Sequence, residues 1–168
     1  DMTRIRITLL AVLAAALLIA VPAAGATQAT ATKPTKIPAS GSAIVVAGKI
    51  HLDTVTSPLV LVDTGTFTGT PFGSGTTTQT YTLNPVTGRA QTAIELVTAT
   101  GTITASAVSN YTTSNVTISF SGVARITGGT GAYAGLTSGA LEFQALHSIT
   151  GKREVFLLLG TTARPGRG

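Results

Sequence analysis

The chain has no cysteine and no tryptophan, a single methionine, two histidines, and only a tenth of its residues charged. Without cysteine there is neither a disulfide framework nor a thiolate metal site. Packing and hydrogen bonds alone must hold the fold. Two histidines, His51 and His147, are too few for a metal site built on several imidazoles, so no metal and no cofactor is expected. Each lies at a strand end, where a solvated imidazole is the simple expectation. Nor do two histidines and many undistinguished serines compose a Ser-His-Asp triad. The missing tryptophan and cysteine pair also remove the hallmarks of an immunoglobulin sandwich.

The N-terminus reads differently from the rest. Arg4 and Arg6 precede an uncharged apolar run over 7–21 of 15 residues, broken only by Thr8. Pro22 and then Ala24-Gly25-Ala26 follow, which is the layout of a secretory signal peptide over 1–26. A transmembrane helix needs about 20 apolar residues, so no membrane attachment is expected after cleavage. The Arg-start, Ala/Leu-rich peptide has a bacterial character, and the mature protein is expected to be secreted. Residues 27–41 carry Thr, Ala, Lys and Pro without a hydrophobic period and read as a flexible linker. The formal charge is +5, but the basic residues are scattered, with Lys33, Lys36, Arg164 and Arg167 at the two ends of the mature chain. Nucleic-acid binders concentrate charge on one face, so no nucleic-acid partner is expected.

From residue 42 the texture changes to short Thr-rich and aliphatic runs separated by Gly, Pro, Asn and Ser. Eight strands are predicted, over 43–52, 59–70, 76–83, 90–99, 102–109, 116–126, 137–147 and 152–162. Thr, Val and Ile favour pleated strands, and several runs alternate with period two. Val116, Ile118, Phe120, Ala124 and Ile126 share one side of their strand. The Asn84-Pro85-Val86-Thr87-Gly88 segment is a hairpin connection in which Gly88 takes a positive φ, and 110–115 reads as a longer polar loop. No amphipathic helix follows the leader. Short connections between neighbouring strands favour an eight-stranded antiparallel up-and-down β-barrel over 42–163, with a disordered tail at 164–168. Closure also removes the exposed edges of a flat sheet.

The most informative stretch is Gly122-Val-Ala-Arg-Ile-Thr-Gly128-Gly129-Thr130-Gly131-Ala-Tyr133-Ala-Gly135. It starts as strand and ends in a glycine-dense turn. A dinucleotide loop would have to open a helix, whereas another strand follows here. The glycines serve a tight turn, and Tyr133 is expected to pack back on the barrel end. In these residues the chain resembles the dirigent and allene oxide cyclase-like family, in which a strand, GGTG plus an aromatic, and a second strand succeed one another. Ala140-Leu-Glu-Phe143, the Thr150-Gly151 turn and the apolar run 155–159 continue the resemblance, which is clear over 101–162. It implies a barrel with an apolar lumen that binds or orients a small apolar molecule, commonly assembled as a trimer. The basic residue that plant dirigent proteins carry after the motif aromatic has no counterpart, since Thr137 stands there.

The resemblance also implies acidic residues at the pocket, where Asp63 falls, and a lumen glutamate, for which Glu142 and Glu95 are the mid-strand candidates. These three are the candidate catalytic residues. A carboxylate buried in a lumen has a raised pKa and can act as acid or base. Glu142 faces opposite Leu141 and Phe143: it enters the lumen if those two turn outward into a trimer interface, and is solvated if they fill the core. Asp63 precedes Thr64-Gly65 and has a turn role as its simpler alternative. Tyr81, Tyr133 and Phe120 are candidate ligand contacts, with packing as the alternative. Three functions remain open: a secreted barrel binding a small apolar molecule, an isomerase or cyclase that holds a reactive lipid- or phenol-derived substrate in one conformation, and a non-catalytic cell-envelope protein.

Overall fold

A computed structural model describes residues 41–57, 59–151 and 153–163. The expected signal peptide, nearly all of the linker and the C-terminal tail lie outside the described residues. Nine strands follow in chain order: β1 (Ala43–Ser57), β2 (Val60–Thr70), β3 (Gly73–Asn84), β4 (Arg89–Thr98), β5 (Gly101–Thr113), β6 (Thr117–Gly129), β7 (Thr137–Ser138), β8 (Leu141–Ser148) and β9 (Arg153–Ala163). Eight of them form one antiparallel sheet in the order β1-β2-β3-β4-β5-β6-β8-β9. The sheet closes on itself because β1 also pairs with β9, from Ala43 opposite Thr161 to His51 opposite Arg153. The predicted up-and-down barrel is therefore the observed architecture, and no strand of it has a free edge along its whole length.

Alternation along the strands sorts the side chains. In β4 the residues Ala90, Thr92, Ile94 and Leu96 are buried while Arg89, Gln91, Ala93 and Glu95 are exposed. In β8, Leu141, Phe143, Ala145 and His147 are buried. Phe67, Tyr81, Phe120, Phe143 and Phe156 point into the lumen, each almost wholly buried. Burying each such ring contributes roughly 1.5–3 kcal/mol. A membrane-spanning barrel turns an apolar band outward and polar side chains inward. Here Gln91, Glu95, Thr104, Ser106, Ser121 and Arg125 face outward beside Val45, Val97, Val108, Val123 and Leu146, while the buried apolar residues face inward. No helix among the described residues is long and apolar enough to cross a membrane.

Several strand boundaries differ from the sequence reading, and two of the differences reshape the barrel ends. The run predicted as one strand over 137–147 is broken at Gly139-Ala140: β7 pairs with the end of β9, Thr137 opposite Ala163, whereas β8 pairs with β6 and β9. The Ser138 hydroxyl is taken up by the Ile126 N–H (2.8 Å), which anchors the short strand across the barrel end. The predicted polar loop at 110–115 is mostly strand, because β5 continues to Thr113 opposite Ile118 of β6. The turn shrinks to Ser114–Val116, where the Ser114 hydroxyl accepts from the N–H groups of Val116 and Thr117. The 84–88 connection forms as expected. Asn84 Oδ1 accepts from the N–H groups of Val86 and Thr87 (3.1 Å each), and Gly88 has φ +66°.

The glycine motif closes one end of the barrel. Gly128 and Gly129 end β6, and Gly131–Tyr133 form a single 3-10 turn. The backbone is tied to the β4–β5 turn by Thr130 N–H to Thr102 O (2.8 Å) and Ala132 N–H to Thr100 O (2.9 Å). Tyr133 then folds back over the end, edge-on to Phe72 with ring centroids 5.6 Å apart, and its hydroxyl meets those of Thr98 and Thr100. Gly131 has φ +58°, and a Cβ there would collide with Thr100 O. Gly131→Ala is expected to cost about 1–3 kcal/mol. Urea unfolding checks this, and an unchanged midpoint would show that the turn tolerates a side chain.

Candidate functional site

The inward face of the barrel is not apolar throughout. Asp63 on β2, Gln79 and Tyr81 on β3, His147 on β8 and Glu154 on β9 are all buried inside it. Period-two alternation puts each of them there: Asp63 shares parity with Leu61 and Phe67, Gln79 and Tyr81 with Leu83, His147 with Phe143 and Ala145, and Glu154 with Phe156 and Leu158. Register then brings them together. Asp63 stands opposite Gln79, and His147 opposite Glu154. Tyr81 reaches Glu154 across the lumen, a contact between β3 and β9.

His147 Nδ1 lies 3.4 Å from Asp63 Oδ2 and 3.6 Å from Glu154 Oε2. These are ion-pair distances without hydrogen-bond geometry. The Tyr81 hydroxyl lies between two acceptors, Glu154 Oε1 and, at 2.7 Å, Gln79 Oε1. A phenol has one proton to donate. When Tyr81 gives it to Gln79, the contact with Glu154 needs a proton on the carboxyl group. When Glu154 is ionised, Tyr81 donates to it instead. The three residues thus form a short relay whose proton position depends on Glu154.

The electrostatics follow from burial and from these neighbours. Burial pushes the Glu154 carboxyl up, against its contacts with His147 and Tyr81, which lower it; Asp63 adds to the rise, and Glu154 reaches about 7 from 4.5. Asp63 first and Glu154 second raise the His147 imidazole from 6.5 to about 9, against the opposing effect of its own burial. Burial, then the Glu154 and Asp63 charges, hold the Tyr81 phenol well above its ordinary value. Near neutral pH the site therefore contains a protonated imidazole, a carboxyl close to its midpoint and a phenol that keeps its proton.

Around this cluster the wall offers further polar atoms with no hydrogen-bond partner: Thr77 Oγ1, Gln79 Nε2, Thr92 Oγ1 and Ser109 Oγ, as well as both Asp63 oxygens, Glu154 Oε2 and His147 Nδ1. Thr92 stands opposite Tyr81, and Ser109 lies on the next strand opposite Ala90. Small inward residues border them: Ala105, Ala107, Ala124 and Ala145 are buried, and Gly122 lies opposite Ser109. Asp63, His147 and Glu154 are also the one group among the described residues whose donor atoms, all within 4.8 Å of one another, could hold a metal ion.

Of the residues expected from sequence, Asp63, Tyr81 and Phe120 meet at this place. Tyr81 and Phe120 stack in a tilted arrangement with centroids 4.6 Å apart. Tyr133 does not join them, because it plugs the end beside Phe72. Glu142 and Glu95 do not face the lumen. Leu141 and Phe143 fill the core, so alternation turns Glu142 outward, where Gln144 Nε2 donates to it (3.1 Å); Ile94 and Leu96 do the same to Glu95. A lumen role for either glutamate is thereby corrected. The solvated imidazole expected at His147 is corrected too, since it is 3% exposed. Gln79 and Glu154 are not among the residues expected from sequence. A groove of about 760 Å³ lies at the β3–β4 hairpin, lined by Leu59, Leu83, Val86, Ala90 and Val108 among others, and contains none of the clustered residues.

In comparisons with known proteins, no family model, no curated protein and no solved structure matches this chain.

Proposed function

We propose that the barrel binds a small, mainly apolar molecule in its lumen and orients it by a hydroxyl or carbonyl group directed at the Tyr81 end. One observation carries this reading: the lumen wall presents buried polar atoms on Thr77, Gln79, Thr92 and Ser109 that the protein does not satisfy. Buried polar groups in native proteins nearly always have a partner, and leaving one unpaired costs about 1–3 kcal/mol. A bound molecule with a few polar atoms would supply those partners. The alanines on the adjoining wall favour room for its apolar body, the common design of small-molecule sites.

A second reading, an isomerase or cyclase, is favoured by the Tyr81–Glu154 hydrogen bond beside a carboxyl that titrates near 7. Such a group can both give and take a proton at neutral pH, and a lumen that fixes the substrate's conformation supplies the rest. Membership of the dirigent and allene oxide cyclase-like family is supported by the glycine motif and the strands around it. Export is supported by the leader pattern of residues 1–26, and assembly as a trimer by the family resemblance alone.

The test is a panel of apolar molecules with and without a hydroxyl or carbonyl group, followed by calorimetry and thermal shift. Members bearing the polar group are expected to bind, with Tyr81→Phe and Thr92→Val each weakening them roughly tenfold. The reading fails if no member binds, or if binding is indifferent both to the polar group and to the two substitutions.

A further inference from the structure

We propose that Asp63, His147 and Glu154 form a four-coordinate site for a divalent transition-metal ion of the zinc or cobalt(II) kind, with its fourth position open toward the lumen. Two histidines argue against a site of several imidazoles. This one needs a single imidazole, and two carboxylates complete it.

The spacing is the first argument. Donors bound to a tetrahedral ion at about 2.0–2.1 Å stand about 3.3 Å from each other, whereas adjacent donors around an octahedral magnesium ion stand about 3.0 Å apart. His147 Nδ1 is 3.4 Å from Asp63 Oδ2 and 3.6 Å from Glu154 Oε2. Both distances are near the edge of a tetrahedral site, the three donors lie within 4.8 Å of one another, and the two contacts are too long and misaligned for good hydrogen bonds.

The second argument is independent of spacing. Asp63 is wholly buried, yet neither of its oxygens has a hydrogen-bond partner; the same holds for Glu154 Oε2 and His147 Nδ1. The donor atoms that face one another are the ones the protein leaves unsatisfied. A buried carboxylate ordinarily takes hydrogen bonds or coordinates a cation. Two carboxylates with a neutral imidazole carry a charge of −2, which a divalent ion cancels inside a low-dielectric barrel.

The support around the ligands fits as well. Glu154 would use Oε2 for the ion, while its other oxygen is held by the Tyr81 hydroxyl, which is in turn in reach of Gln79. Hydrogen bonds of this kind orient ligating carboxylates and tune the site. The ligands lie on β2, β8 and β9 of a closed sheet, and His147 and Glu154 form a cross-strand pair. Calcium, which takes six to eight oxygens, finds too few here. One nitrogen and two oxygens suit zinc, cobalt(II) and their neighbours. Three protein ligands plus an open position is the arrangement of catalytic rather than structural zinc.

The experiment strips the purified full chain with EDTA and titrates it with cobalt chloride, followed by zinc chloride. One cobalt per chain is expected to bind with the intense visible absorption of four-coordinate cobalt(II), and zinc is expected to displace it. Asp63→Asn and Glu154→Gln should each lose at least tenfold in affinity, and Tyr81→Phe about tenfold. His51→Gln, which removes the only other imidazole, and Glu142→Gln, on the outer surface, should leave affinity unchanged. Should the buried variants fail to fold, X-ray absorption on the zinc-loaded native chain decides: one imidazole and oxygen neighbours support the site, while none or two imidazoles overturn it. No uptake, weak six-coordinate absorption, or uptake that survives in folded D63N and E154Q would overturn it equally. A chain that takes the ion and no organic molecule would end the ligand-binding reading and leave this one standing.

Discussion

His147→Ala, measured by urea unfolding at pH 8 with a chelator present, should destabilise the barrel by about 3–5 kcal/mol, and adding Asp63→Asn should recover part of that loss. At pH 8 the Glu154 carboxyl is above its midpoint near 7 and the His147 imidazole below its midpoint near 9. The site then holds two carboxylates facing one cation. Among the described residues, His147 is the cation at ion-pair distance from Asp63 and Glu154. Its removal leaves like charges together in a medium that solvates neither. Neutralising Asp63 removes one of them and the repulsion with it. The cycle therefore expects a coupling of about 1–3 kcal/mol between the two positions. If the single change acted only by leaving a cavity, the asparagine would recover nothing.

Stability should also fall steadily from pH 5 to pH 9, a slope opposite to the acid lability of proteins whose carboxylates are paired. Glu154 has a higher pKa folded than unfolded, 7 against 4.5. Its contribution is complete below pH 4.5 and is lost as pH rises through 7. His147 is likewise raised, 9 against 6.5, so its contribution is complete below pH 6.5 and is lost as pH rises through 9. Both slopes have the same sign. Each alone is worth of the order of 3 kcal/mol. They come in succession, because Glu154 loses its proton beside a charged imidazole and His147 then loses its own beside an ionised Glu154. Each step, about 3 kcal/mol, would lower the melting temperature by roughly 10 °C. Glu154→Gln should abolish the part of the slope between pH 4.5 and 7 and keep the part due to His147 beside Asp63. Melting curves by circular dichroism in a chelator check this, and a stability that is flat or rises toward pH 9 would contradict it.

The fold was legible because its rules are local. Thr and β-branched residues alternating with period two, and turn residues at short intervals, dictate hairpins; hairpins between every neighbour leave closure as the way to remove both edges. The break at Gly139-Ala140 was not legible, since it depends on β7 crossing to β9 and the alternation runs on through 141–147. The site was half legible. Parity alone places Asp63 with Leu61 and Phe67, Gln79 with Tyr81, and His147 with Leu141 and Phe143 on inward faces. That signal was present for His147, but its position at a strand end suggested solvent. Glu154 gave no such signal. Val155, Leu157 and Leu159 on one face of β9 are as apolar as Phe156 and Leu158 on the other, so alternation could not say which face turned inward. For Glu142 the sequence posed the right question, and the burial of Leu141 and Phe143 answers it. What no local rule contains is the contact of Tyr81 with Glu154, which exists only once β1 and β9 pair and bring β9 across the lumen from β3.

A carbon-13 NMR titration of the glutamate carboxyl groups, with imidazole nitrogen shifts followed in parallel, would reach the buried cluster most directly. A Glu154 resonance that titrates with a midpoint near 7 and moves the His147 and Tyr81 signals with it is the expected result. A Glu154 that titrates in the ordinary carboxylate range and leaves both signals unmoved would mean that Glu154, His147 and Tyr81 do not share the lumen.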